Sequence, residues 1–277
     1  KVRSWPQMRR VIENHFPEML DQRAERVTEE VLARKVAADR TVVAKRAATY
    51  LNAVLRWGQV GAPISVSRLD DLVPEAPRER VLRDDELRRL FAAFEALEPV
   101  WRDFAYGLLL TAARRSDLAL AEAAHFDLAA SPAIWHRRVH KVKGRKVEIA
   151  AHPLSPRMRA MVERRLAGGE RFLFQTAAGE PLRHNFDRTL KRVHRESGVA
   201  DWSWHDLRRT ARTILSRAGV RPDIAERCLD HKDRGLSRVS GVYDHFDCGE
   251  DLAAAYAALA AALDQIAAGK PLLRRVR

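Results

Sequence analysis

The segment Trp204-His205-Asp206-Leu207-Arg208-Arg209-Thr210 sets an imidazole and a guanidinium three residues apart. On a helix this spacing puts both on one face, where they can donate jointly to the oxygens of one phosphate. Upstream stands Thr111-Ala112-Ala113-Arg114-Arg115-Ser116-Asp117-Leu118, a second guanidinium with a carboxylate three residues on. Downstream come Leu229-Asp230-His231 and then Gly241-Val242-Tyr243-Asp244-His245, while Lys141, Lys143 and Lys146 crowd around Gly144 in between. The chemistry that the His205–Arg208 pair offers on its own is the holding of a phosphate, and the other segments strengthen that reading. Each has a duller reading when taken alone. The His205–Arg208 pair could be the solvated start of a helix, Arg114-Arg115 a solvated pair at a helix end, and Tyr243 a surface or core phenol.

The elements that must position these groups are mostly helices. Residues 1–72 carry apolar residues at helical spacing: Met8, Val11, Ile12 and His15 in a first helix closed by Pro17, and Val31 and Leu32 in a second opened by Thr28. A third is expected from about Thr41 to Trp57, with Val43, Ala47, Tyr50, Val54 and Trp57 on one stripe and Gly58 as its stop. Pro74-Glu75-Ala76-Pro77-Arg78-Glu79-Arg80, charged and without periodic apolar residues, has the composition of a linker. Beyond it, Asp84 is expected to cap a helix bearing Leu87, Leu90, Phe91 and Phe94, followed by helices at about 103–112 and 116–123. Ile134–Val139 and Lys146–Ile149 read as the strands of a β-hairpin. Helices return at about 155–167, 183–197, 205–218, 222–229 and 250–268. The expected fold is mainly α, in the α+β sense: a helical domain over 1–73, a linker over 74–82, and a mostly helical domain with a small antiparallel sheet over 83–277.

Composition narrows the partner. The 277 residues carry a net charge of +13 and a pI near 10.4, which points to a polyanion. No apolar run approaches the roughly 18–20 residues that span a bilayer, and no signal segment opens the chain. The two cysteines, Cys228 and Cys248, lack the spacing of a disulfide framework or zinc site and are expected to be reduced thiols in a cytoplasmic protein.

With its order of motifs from Arg114 to Tyr243, the chain resembles the tyrosine recombinases, especially phage- and island-type integrases. That family's pattern is T-G-x-R-x-x-E-L, a lysine on a β-hairpin, H-x-L-R-[RH]-T, L-G-H and a tyrosine. Arg114 matches the first arginine, Asp117 the acidic position, His205 and Arg208 the H-x-x-R pair, His231 the second histidine and Tyr243 the nucleophile. The helical segment before the linker is similar to the family's core DNA-binding domain. Three positions depart from the pattern: Ala112 and Asp230 stand where the family has glycine, and His125 where it often has tryptophan.

The resemblance implies cleavage of DNA by Tyr243, giving a 3′-phosphotyrosyl bond and a 5′-hydroxyl. Arg114 and Arg208 would clamp the phosphate, His205 and His231 would add hydrogen bonds, and Asp117 would orient Arg114. The general acid is a hairpin lysine, Lys143 at the Gly144 turn, with Lys141 on the same strand face as the alternative. Tyr256 is the rival phenol, though its place in the apolar pattern of the last helix favours packing. No metal and no cofactor is implied. Arg40, Lys45, Arg46 and Arg56, along or beside the third helix, are the candidates for DNA contact in the first domain.

The expected partner is a double-stranded DNA attachment site gripped by both domains, with a homo-tetramer assembled on it and room for an accessory directionality factor. A last helix with Leu252, Tyr256, Leu259 and Leu263 on one face would dock on a neighbouring protomer or on its own domain. Two readings compete within the same fold: a type IB topoisomerase-like enzyme, and a DNA-binding protein that lost catalysis. A metal-dependent nuclease would want clustered carboxylate or histidine ligands, and the sequence offers none at a shared spacing.

Overall fold

The computed structural model describes residues 5–60, 63–76, 78–139, 148–230 and 249–270. The chain forms two compact units, Lys1–Glu79 and Arg80–Arg277. Lys141, Lys143 and Lys146 on one side, and His231, Tyr243, His245 and Cys248 on the other, lie outside the described residues.

The first unit is helical: α1 (Trp5–His15), α2 (Pro17–Leu20), α3 (Glu29–Asp39), α4 (Val42–Gly58) and α5 (Val66–Leu72). The hydroxyls of Thr28, Thr41 and Ser65 accept from the backbone N–H groups of Val31, Ala44 and Arg68, so each of α3, α4 and α5 has a side-chain cap. Its core joins Ile12, Phe16, Leu32, Val36, Leu51, Leu55, Ile64 and Leu69. The buried Asn52 amide meets both the N–H and the C=O of Ile64, tying α4 to the loop before α5.

The stripe expected on α4 is rotated. The buried residues are Ala44, Ala47, Ala48, Leu51, Asn52 and Leu55, whereas Val43 is 43% and Trp57 88% exposed. Alanines let α4 approach α1 and α3 closely, and that gain outweighs hiding the larger Val43 and Trp57. Nor does Gly58 end the helix from outside it; the left-handed residue is Gln59, with φ 54°.

The second unit runs α6 (Asp84–Glu95), α7 (Pro99–Thr111), α8 (Arg115–Ala119), β1 (Phe126–Asp127), β2 (Ile134–Val139), β3 (Glu148–Pro153), α9 (Pro156–Leu166), α10 (Phe186–Ser197), α11 (Trp204–Arg217), α12 (Pro222–Cys228) and α13 (Gly249–Ala267). The fold is therefore mainly α with a small antiparallel sheet of order β1-β2-β3. Trp135 pairs with His152 and Arg137 with Ala150 across β2 and β3. The short strand β1 escaped the sequence pattern, since two residues show no alternation; Phe126 stacks on Trp135 at 5.7 Å. β3 runs on to Pro153, beyond the Ile149 expected as its end.

Two further boundaries differ from expectation. Arg83, not Asp84, is the N-cap of α6, and Glu86 three residues on accepts from the Arg83 N–H. Residues 80–82 are anchored rather than linker-like: Arg80 grips Glu86 in a bidentate pair, and Leu82, 2% exposed, donates its N–H to Thr210 Oγ1. The last helix lies on its own unit, with Leu252, Tyr256, Leu259, Leu263 and Ile266 buried against β3, α6, α11 and α12. Its apolar face is thus already covered, and the docking on a neighbouring protomer gives way to the packing on its own domain. Among the described residues, no helix is long and apolar enough to cross a membrane.

Candidate active site

An aromatic cluster fixes the start of α11. Trp204 stacks on Trp101, meets Phe104 edge-on, and donates its indole N–H to the Phe186 carbonyl at 3.0 Å. Asp206 accepts from the N–H and hydroxyl of Ser203, capping the helix. Between these anchors, His205 points to the exposed side and Arg208, one turn on, runs inward to 2% exposure.

Arg208 joins two backbone turns. It donates through Nη1 to the Ala112 carbonyl at 2.6 Å and through Nη2 to the Leu229 carbonyl. Ala112 and Asp230, the two residues standing where the recombinase pattern has glycine, have φ of 49° and 52°. Left-handed backbone is the conformation glycine adopts without steric penalty, which accounts physically for glycine in that pattern. Burial, then the charges of Arg114 and Arg137, lower the pKa of Arg208 to about 10, against the opposing pull of Asp230 and Asp117. It stays a cation at neutral pH.

Arg114 precedes α8 in an extended conformation. Its Nη1 lies 3.6 Å from Asp117 Oδ2 and 3.7 Å from Asp230 Oδ2, in ion-pair range and beyond hydrogen-bond reach. That nitrogen is buried while the Arg114 side chain is 33% exposed, so the exposure falls on the rest of the side chain. Its neighbour Arg115 turns away, its guanidinium 4.6 Å over the Phe186 ring. His205 feels the same cations: partial burial first, then Arg209, Arg208 and Arg114, lower its pKa. A neutral imidazole can donate one hydrogen bond and accept another.

Beneath the arginines lies a polar layer that sequence reasoning missed. Arg137, 1% exposed, sets Nε 2.9 Å from Asp230 Oδ2 and donates through Nη2 to the Cys228 carbonyl at 2.7 Å. His152 Nε2 lies 2.7 Å from Asp230 Oδ1, and its Nδ1 lies 2.8 Å from the Tyr256 hydroxyl. Burial, then the Arg137 charge, push His152 down to about 4, so the ring is neutral. The arrangement is met when Nε2–H donates to the carboxylate and Nδ1 accepts from the phenol. Burial would raise the Asp230 pKa, but the His152 hydrogen bond and the Arg137 charge hold it below its ordinary value. One signal was available: Arg137 shares the strand face of Trp135, a core tryptophan, so it had to point inward. His152, paired with Trp135 across the sheet, is bonded into this layer.

Tyr256 is 2% exposed, its hydroxyl lies 3.2 Å from the Cys228 carbonyl, which competes with His152 Nδ1 for the one phenol proton, and burial pushes its pKa well above the ordinary phenol value. It is a packing group, as its apolar pattern suggested. Arg114, Asp117, His205 and Arg208 come together, whereas the positions of Lys143, Lys141, His231 and Tyr243 fall outside the described residues.

In the first unit, Arg46 and Arg56 are exposed on α4, and Arg40 is the exposed left-handed residue closing α3. Lys45 differs from the expectation of a DNA-facing cation. Its ammonium lies 2.8 Å from Asp70 and 2.9 Å from Glu75 and donates to the Val73 carbonyl, leaving the side chain 12% exposed.

Among solved structures, the chain is similar to a lambda integrase tetramer bound to a Holliday junction, with 16% identity and a TM-score of 0.62 over 85% of this chain and 73% of that one. A lambda integrase dimer bound to a COC′ core site gives 17% identity and a TM-score of 0.59 over 83% of this chain and 86% of that one. A Tn1549 transposon integrase in complex with transposon right end DNA gives 14% identity and a TM-score of 0.58, over 82% and 84%. At these identities the likeness is one of fold. No curated protein sequence matches the chain. The family model described as the phage integrase family matches residues 80–247, more than half of the chain and every motif from Arg114 to Tyr243, so the chain belongs to the phage integrase family.

Proposed function

We propose that this chain is a site-specific DNA recombinase that cuts and rejoins strands through a 3′-phosphotyrosyl bond on Tyr243. The observation that carries the reading is the convergence of Arg114 and Arg208, with His205 one turn from Arg208, on one site. In this scheme the Tyr243 oxygen attacks phosphorus and the 5′-oxygen leaves. Charge grows on the nonbridging oxygens, and the two guanidiniums, Arg208 held by backbone carbonyls and Arg114 beside two carboxylates, stabilise it. His205 and His231 add hydrogen bonds, and one of them accepts the phenol proton. Lys143, or Lys141, protonates the leaving 5′-oxygen. The phosphodiester energy is kept in the tyrosyl bond, so a strand from a second duplex can reverse the step.

The substrate is a double-stranded attachment site, and the assembly is a homo-tetramer, as in the lambda integrase complex on a Holliday junction. Residues 1–73 act as the core DNA-binding domain and 83–277 as the catalytic domain, with Arg40, Arg46 and Arg56 over phosphates. The setting is the cytoplasm.

The discriminating assay supplies a supercoiled plasmid bearing two copies of the site the protein selects from random duplex DNA. Recombinant junctions between the copies are expected. Relaxation of supercoils without any junction would support the topoisomerase reading instead.

A further inference from the structure

Arg114 meets two carboxylates, and only Asp117 belongs to its own segment. The other, Asp230, occupies a left-handed turn with φ 52°, where a side chain is strained and aspartate is among the residues that tolerate it. Its side chain is 2% exposed, and a buried carboxylate needs partners to offset the loss of water. Arg137 and His152, at 1% and 3% exposure, supply them. Asp230 Oδ1 is taken by His152, while Oδ2 faces both Arg137 Nε at 2.9 Å and Arg114 Nη1 at 3.7 Å. One oxygen thus lies in ion-pair range of two guanidiniums, one in the buried layer and one at the site, with no hydrogen bond to either.

We propose that Asp230 is a positioning residue for Arg114: held from behind by Arg137 and His152, its carboxylate is the second fixed anion that orients the Arg114 guanidinium toward the scissile phosphate. With Asp117 it draws Nη1 inward, on a side chain that is itself 33% exposed. It also balances charge, since without it Arg114, Arg137 and Arg208 would share Asp117 alone among these carboxylates. In this chain the aspartate in the glycine position stands against the inward arginine on β2 and the buried histidine on β3.

The proposal rests on the recombinase reading, and its test separates the two. Asp230→Asn keeps the shape and the left-handed turn but leaves Arg137 buried without its counter-charge, so it is expected to melt earlier. Arg137→Leu/Asp230→Gly removes both charges and is expected to recover the wild-type melting temperature. If Asp230 serves Arg114, this folded double variant still forms the covalent DNA adduct more slowly, by about 10- to 100-fold, the cost of a small misplacement of a reacting group. Its DNA affinity is expected to match the wild type. A folded double variant that cleaves at the wild-type rate would overturn the proposal, because Asp230 would then serve Arg137 alone. If wild type itself forms no adduct, the recombinase reading fails and the positioning claim is judged on nitrogen-15 arginine spectra. The Arg114 Nε–H signal, identified through Arg114→Lys, is expected to be distinct in wild type and averaged with the exposed arginines in the double variant. An Arg114 signal unchanged in the double variant would also overturn it.

Discussion

Arg208 donates to the carbonyl oxygen of Ala112 at 2.6 Å, so one guanidinium of the site is fixed by the turn that leads into the segment bearing the other, Arg114. The same side chain holds the Leu229 carbonyl next to Asp230. The site's two arginines are therefore coupled through backbone, in addition to the field of Asp117 and Asp230 that both feel. Any change in either left-handed turn should reach both.

Ala112 tests this coupling. At φ 49° an alanine is strained, yet its buried methyl packs in the core. Relief of about 1 kcal/mol on changing it to glycine is offset by the lost methyl and the freer unfolded chain. Ala112→Gly is expected to shift denaturant stability by less than about 1 kcal/mol and to keep DNA cleavage. Ala112→Val forces a β-branched residue into the same turn and overpacks it, for a loss of about 2 kcal/mol or more. Equal stability of the two variants would contradict the account.

His152 should make stability depend on pH. Its folded value near 4 lies below the ordinary 6.5, so between these values the unfolded chain binds the extra proton. Stability is therefore complete above about pH 6.5 and falls as pH drops toward 4, by at most about 3 kcal/mol. The lowered Asp230 acts in the same direction, lost as pH falls through its folded value. His152→Gln keeps a donor for Asp230 but takes up no proton. Its stability curve is expected to be flatter over that window in denaturant titrations; an unchanged slope would place the proton uptake elsewhere.

The cations of the first unit should divide by role. Arg46→Ala and Arg56→Ala are each expected to reduce the slope of log affinity against log salt by about 1, as loss of one phosphate contact does. Lys45→Ala, by contrast, removes the partner of Asp70 and Glu75 and is expected to lower the melting temperature of the first unit. Its salt slope should stay near that of wild type. A loss of slope with Lys45→Ala as large as with Arg46→Ala would return Lys45 to the DNA-facing set.

What could be read from sequence was short in range. His205 and Arg208 share a helix turn, and Arg114 and Asp117 share another, so spacing alone brought each pair together. The hydroxyl caps of α3 and α4 were legible for the same reason. The Arg137–Asp230–His152 layer was not, because it joins two strands to a turn some ninety residues from Arg137, a separation also spanned by the Arg137–Cys228 bond. Position in sequence carried only a hint, the acidic residue in a glycine place. On α4 the pattern of large apolar residues misled, since close helix packing selected the small ones.

Covalent trapping with a nicked duplex carrying the selected site, comparing wild type with Tyr243→Phe, tests the tyrosyl mechanism most directly. Wild type is expected to give a protein–DNA adduct that survives denaturant and forms in excess chelator, and Tyr243→Phe to give none while binding the same DNA. Specific binding without any adduct, or an adduct that persists in Tyr243→Phe, would contradict it.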